Sequence, residues 1–179
     1  MVKYTISKYA ADPKRVFATG QSSGGVATYV LCGAYPDVFA AGAPISGLEF
    51  GCFAGGRGSS PTTGDQACLA GQRIYTPEKW GSMVRAAYPG YTGSYPRMQL
   101  WQGTVDTLVR YQNLIEGIKQ WSNVLNVSFS HNETNTPKPG YTKMVYGDGT
   151  KLVAYSAEGV GHVVPMDESS VLNWFGITV

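Results

Sequence analysis

Residues 17–28 read FATGQSSGGVAT, a short apolar stretch running into a glycine-flanked serine and then into small residues with helical character. Gly20-Gln21-Ser22-Ser23-Gly24 is a Gly-x-Ser-x-Gly pattern. In a nucleophile elbow this pattern sets the serine on a strained turn between a strand and a helix. Small neighbours are needed because the turn brings backbone segments close together and holds the hydroxyl clear at the sheet edge. In a chain with 23 glycines the bare pattern is weak evidence, and a serine in an ordinary turn is the competing reading. The context favours an elbow: RVFATG (15–20) predicts a buried strand, and residues 24–34 predict a helix packed closely on a sheet.

Working outward, Val2, Ile6 and Tyr9 share one helical face, so the sequence opens in a helix without an N-terminal cap. FAAGAPISG (39–47) predicts a second short strand, and a helix is expected over 77–87 with Pro77 in its first turn. RMQLWQG (97–103) is the third strand, followed by an amphipathic helix within 109–125 that aligns Leu114, Ile118, Trp121 and Leu125. SFSHNETNTPKPGYT (128–142) reads as a polar loop, KMVYGDGTKLVAYSA (143–157) as a hairpin turning at Asp148-Gly149, and 167–177 as a short capped helix. Strands alternating with helices and no internal repeat imply one α/β domain over residues 1–179.

The totals narrow the function. With 43% hydrophobic and 15% charged residues and a net charge of +2, the chain has no basic block to attract nucleic acid or an anionic membrane. A small neutral substrate fits better. Cys52 and Cys68 bracket a glycine-rich loop that is costly to order without a clamp. They are either a disulfide, which implies an oxidising compartment, or two free buried thiols. Cys32 is left inside a helix, buried and inert, and sequons at Asn126 and Asn132 point weakly to export.

A nucleophilic serine needs a base, and the chain has two histidines. His131 sits in the polar stretch and reads as solvated. His162, in AEGVGHVVP after the last strand, has Gly159 and Gly161 to bend its loop back to the sheet edge; a packing histidine is the alternative. Asp106, in LWQGTVDTLV after the third strand, is the candidate orienting carboxylate, with a turn or cap residue as the alternative. The order Ser22, Asp106, His162 is that of the α/β hydrolases. In that scheme the Ser23 N–H donates to the oxyanion.

RVFATGQSSGGVATYVLCGAYPDVFAAGAPISG, GCFAGG, AAYPGYTG, LWQGTVDTLV, IKQWSNV and GVGHVVP…VLNWFGI together resemble the secreted acetylxylan and feruloyl esterases of the polyhydroxybutyrate-depolymerase-like esterase family. The similarity runs over nearly the whole chain. It implies an α/β-hydrolase three-layer sandwich, a catalytic set of Ser22, Asp106 and His162, and no cofactor or metal. It also implies a bridge between Cys52 and Cys68, secretion, and removal of acetyl or feruloyl groups from xylan, with acetyl favoured. Family members commonly carry histidine where this chain has Gln102, which stands beside Trp101; both are expected at the pocket edge. The family's domain begins well before Met1, so the chain is expected to hold the C-terminal portion of the sheet, from the nucleophile strand onward. The rival expectation is a non-catalytic hydrolase fragment binding carbohydrate through Trp101 and Tyr111.

Overall fold

The computed structural model describes residues 1–54 and 64–177. Helix α1 (Val2–Tyr9) leads to strand β1 (Phe17–Gln21), helix α2 (Ser23–Ala34) and strand β2 (Ala41–Ile45). The short helix α3 (Gln66–Leu69) and helix α4 (Pro77–Ala86) follow, then strand β3 (Arg97–Gly103) and helix α5 (Gln112–Leu125). Strands β4 (Phe129–Thr134), β5 (Tyr141–Tyr146) and β6 (Leu152–Ala157) precede helix α6 (Glu168–Trp174). The six strands form one sheet in the order β1-β2-β3-β6-β5-β4. The β1-β2-β3-β6 pairs are parallel, and β6-β5 and β5-β4 are antiparallel.

Alternation along the strands divides the core. Ala18, Met98, Leu100, Leu152 and Ala154 face α2 and α5, where Tyr29, Cys32, Leu114, Ile118 and Trp121 meet them. Their odd-numbered neighbours Trp101, Val153 and Tyr155, with Ala41, Ala43 and Ile45 of β2, face the other way onto Val171 and Phe175 at α6. This is the helix, sheet, helix layering of an α/β hydrolase. Gly42 shows how close the packing is: a Cβ there would sit 2.6 Å from Cys32 Sγ, so β2 admits the helix only because this residue has no side chain.

One sequence expectation is corrected. The stretch expected to be a polar loop contains β4, antiparallel to β5, with its side chains almost all exposed. An edge strand paired on one side and solvated on both faces has no apolar alternation to reveal it, and its charges blunt the open edge. His131 lies on this strand, exposed, with Nε2 3.5 Å from Glu133.

A second region hidden from hydrophobic patterning lies along α5. Glu116 is fully buried and accepts from the Tyr75 N–H, Trp80 Nε1, Gln112 Nε2 and Lys119 Nζ. Burial alone would raise its pKa, but these donors outweigh it and hold the carboxyl below its ordinary range. Gln120, also fully buried, bonds the N–H and C=O of Phe50 and the Trp80 carbonyl. These polar contacts fasten α4 and the segment after β2 to α5.

Candidate active site

The end of β1 turns sharply into α2 at Ser22, which has φ 57° and ψ −120°. A non-glycine residue with positive φ is strained, and here a backbone hydrogen bond and the close approach of Gly20 to Gly24 accompany it. The Ser22 N–H donates to the Ile45 carbonyl at 2.9 Å, and a Cβ on Gly20 would lie 2.6 Å from the Gly24 carbonyl carbon. The small residues around Ser22 are therefore what let β1, β2 and the start of α2 converge. Ser23 is exposed and opens α2, where a backbone N–H has no acceptor within the helix.

The three candidate side chains meet at the carboxyl ends of the parallel strands. Ser22 Oγ lies 2.8 Å from His162 Nε2, and His162 Nδ1 lies 2.8 Å from Asp106 Oδ2. A carboxylate only accepts, which places the imidazole proton on Nδ1 and leaves Nε2 to accept from the serine hydroxyl. Asp106 is 2% exposed, and its Oδ1 accepts from the Leu108 and Val109 N–H groups at 2.8 and 2.9 Å.

The His162 loop is held by its backbone. The His162 carbonyl accepts from Ser46 Oγ at 2.7 Å and from Gln21 Nε2 at 3.3 Å. The Val105 N–H reaches the Val160 carbonyl at 3.0 Å, and the Gly159 N–H reaches Thr104 Oγ1 at 2.9 Å. A Cβ on Gly103 would approach the Val160 oxygen to 2.2 Å, so the Asp106 and His162 loops pack backbone to backbone. Sequence reasoning missed Ser46 and Gln21. Gln21 occupies a variable position of the serine motif, and that location was the only available hint.

Trp101 and Gln102, both expected at a pocket edge, are buried. Trp101 is 1% exposed, stacks on Tyr155 with centroids 3.9 Å apart, and donates from Nε1 to Gln99 Oε1. It belongs to the α6 side of the core, because strand alternation turns it away from the face its neighbour takes. Gln102, on the opposite face, is 2% exposed and donates from Nε2 to Asp106 Oδ2 and to the Val109 carbonyl, both at 2.8 Å. Tyr111 is partly buried and its hydroxyl bonds Ser156 Oγ at 3.0 Å.

Cys52 and Cys68 are joined as a disulfide, with Cα atoms 5.8 Å apart. Residues 55–63 of the loop they bracket lie outside the described residues. Among the described residues, Glu49, Cys52 and Cys68 are the grouping that could have held a metal ion, but both sulfurs are committed to the bridge. Cys32 is free and buried. No described helix is long and apolar enough to cross a membrane.

Comparison with known proteins agrees with this architecture. The chain is 56% identical over 178 residues to feruloyl esterase B of Talaromyces stipitatus, covering 99% of this chain and 50% of that protein. It is 42% identical over 180 residues to an acetylxylan esterase of Coprinopsis cinerea, covering 98% of this chain and 47% of that one. An acetyl xylan esterase structure from Aspergillus awamori superposes with a TM-score of 0.93 at 40% identity, covering 99% of this chain and 65% of that one. The chain thus spans about half the length of the curated relatives it matches. Residues 1–123 match the prolyl oligopeptidase family, and the chain belongs to that family of α/β hydrolases.

Proposed function

We propose that the protein is a serine ester hydrolase acting on acylated xylan. The observation that carries this is the unbroken series of 2.8 Å contacts from Ser22 through His162 to Asp106 at a strained strand-to-helix turn. His162 Nε2 accepts the Ser22 proton as Oγ attacks the ester carbonyl, and Asp106 holds the Nδ1 proton and faces the imidazolium that forms. The Ser23 N–H, at the positive end of the α2 dipole, donates to the developing oxyanion. His162 then returns the proton to the leaving sugar hydroxyl, leaving an acyl-enzyme on Ser22. Water, deprotonated by the same imidazole, attacks that acyl-enzyme and releases the acid. No cofactor takes part in these steps.

Acetyl is the acyl group the family resemblance favours, and the likeness to the Aspergillus awamori enzyme supports it. Ferulate is the second reading, favoured by identities of 48–56% to four proteins named feruloyl esterase B against 42–43% to the acetylxylan esterases. Secretion fits the disulfide, which persists in oxidising compartments.

The test is release of acetate from acetylated xylan and of ferulate from methyl ferulate, by the chain and by Ser22→Ala. Serine-dependent release is expected, and the faster product names the acyl group. Hydrolysis by Ser22→Ala near the parent rate would overturn the nucleophile assignment. A folded parent chain that releases neither acid would favour the non-catalytic fragment.

A further inference from the structure

We propose that Gln102 is the positioning residue that fixes the Asp106 carboxylate in line with His162, an assignment that rests on the esterase reading above. Asp106 has four hydrogen-bond partners, and they divide by origin. Oδ1 takes the Leu108 and Val109 N–H groups, which belong to the aspartate's own turn. Those bonds orient the carboxylate within its loop and say nothing of where the loop sits on the sheet. Oδ2 takes His162 Nδ1, the group it must serve, and Gln102 Nε2. Gln102 is on β3, in register with Ser156 of β6, so it is the contact that refers the carboxylate to the sheet itself.

One nitrogen does two jobs. Nε2 carries two protons, and the second goes to the Val109 carbonyl at 2.8 Å. The amide therefore pins residue 106 at its side chain and residue 109 at its backbone, closing the turn onto the strand from both ends. Gln102 and Asp106 are each 2% exposed, so water is poorly placed to substitute for either bond. The chemistry of the residue matters as well as its reach. A neutral donor leaves the imidazole as the group whose charge the carboxylate answers during turnover. A lysine would compete for Oδ2 with a full charge, and a glutamate would face it with a like one. Leucine would fill the space and leave two buried acceptors short of a donor.

Because Gln102 acts through Asp106 and is itself buried, its loss should appear in kcat and not in KM. The experiment compares the full chain with Gln102→Leu, Gln102→Glu, Gln102→His and Ser22→Ala. It records kcat and KM on a chromogenic acyl ester, and the downfield proton NMR resonance of the His162 Nδ1–H in the free protein. Gln102→Leu and Gln102→Glu should lose about 10- to 100-fold in kcat, the range seen when a partner orienting a functional ligand is removed. KM should stay within about twofold. The downfield resonance should shift or broaden in both variants. Gln102→His should recover part of kcat and of the resonance, since one ring N–H can still reach Oδ2.

Three results would overturn the proposal: kcat within about twofold of the parent in a folded Gln102→Leu or Gln102→Glu, a loss confined to KM, or an unaltered resonance in both. If Gln102→Leu fails to fold, the near-isosteric Gln102→Glu decides. Failure of the esterase reading looks different. Ser22→Ala would then keep hydrolysing ester, or the parent would have no turnover, while the resonance would still report whether Gln102 governs the Asp106–His162 pair.

Discussion

Replacing Glu49 with methionine should remove a loss of stability that the parent chain suffers as pH rises. Glu49 lies just beyond β2, is 2% exposed, and neither carboxyl oxygen has a hydrogen-bond partner among the described residues. Burial pushes its carboxyl up to about 8 from an ordinary value of 4.5; the nearby N–H of its own backbone opposes the rise, and the charge of Glu116 adds to it. Two other groups face it. The Tyr29 phenol of α2 is itself raised by burial and by Glu49, and the Cys52–Cys68 bridge lies within 4.8 Å and does not titrate.

The sign follows from proton counting. Below about pH 4.5 the carboxyl is protonated in both folded and unfolded chains and contributes no pH dependence. Between about 4.5 and 8 the unfolded chain has released the proton and the folded chain retains it, so stability falls as pH rises. Above 8 both have released it and the loss is complete. At about 1.4 kcal/mol per unit, a rise from 4.5 to about 8 amounts to a loss of about 5 kcal/mol. Total stability of a domain is roughly 5–15 kcal/mol, so the effect is large against it. Urea unfolding of the parent and of Glu49→Met, at intervals from pH 4 to 9, measures it. The difference in unfolding free energy should widen across the window and level off above pH 8, with Glu49→Gln showing the same flattened profile. Parallel curves for parent and variants would refute the reasoning. The same segment carries Ser46, whose hydroxyl holds the His162 carbonyl, so loosening around Glu49 at high pH should hasten thermal inactivation too.

Glu116→Ala should destabilise the fold by about 3–5 kcal/mol at neutral pH, because it leaves Lys119, Trp80 and Gln112 without the acceptor they share; a change under about 1 kcal/mol in chemical denaturation would show that the network contributes little. Trp101→Ala should cost about 3–5 kcal/mol through the cavity beside Tyr155. The ratio of acetate to ferulate release should be unmoved in the surviving folded fraction, and a changed ratio would return Trp101 to the substrate site.

The two buried glutamates explain part of what the sequence concealed. Helical periodicity reveals α5 through Leu114, Ile118, Trp121 and Leu125, all of them buried. The same pattern assigns Glu116 and Gln120 to a solvent face, yet α4 and the segment after β2 cover them. Polarity in a sequence records what a side chain needs, and both water and a buried network can supply it. β4 escaped for the converse reason: an edge strand with five of its six residues exposed needs no apolar pattern at all. What could be read was whatever carries local strain or a fixed order. Ser22 and His162 are 140 positions apart, but the glycine-flanked turn and the two loops after strands β3 and β6 each announce themselves locally. Parallel pairing of β1, β2, β3 and β6 then brings those loops to one sheet edge.

Trp101 and Gln102, expected together at a pocket edge, are turned by strand geometry to opposite faces of β3. Successive residues of a strand point to opposite faces, so adjacent residues cannot both line a pocket on one side of the sheet. The sequence contained the means to choose between them. Asp106 must stand at the carboxyl end of β3, and a residue four positions earlier on the same strand is within reach of a turn that folds back over it. Gln102 is therefore the member of the pair available to the aspartate, which commits Trp101 to the α6 layer, where Tyr141 and Tyr155 receive it. Gln102, the next-to-last residue of β3, thus meets the candidate catalytic carboxylate directly, and that contact is what the proposal made for it rests on.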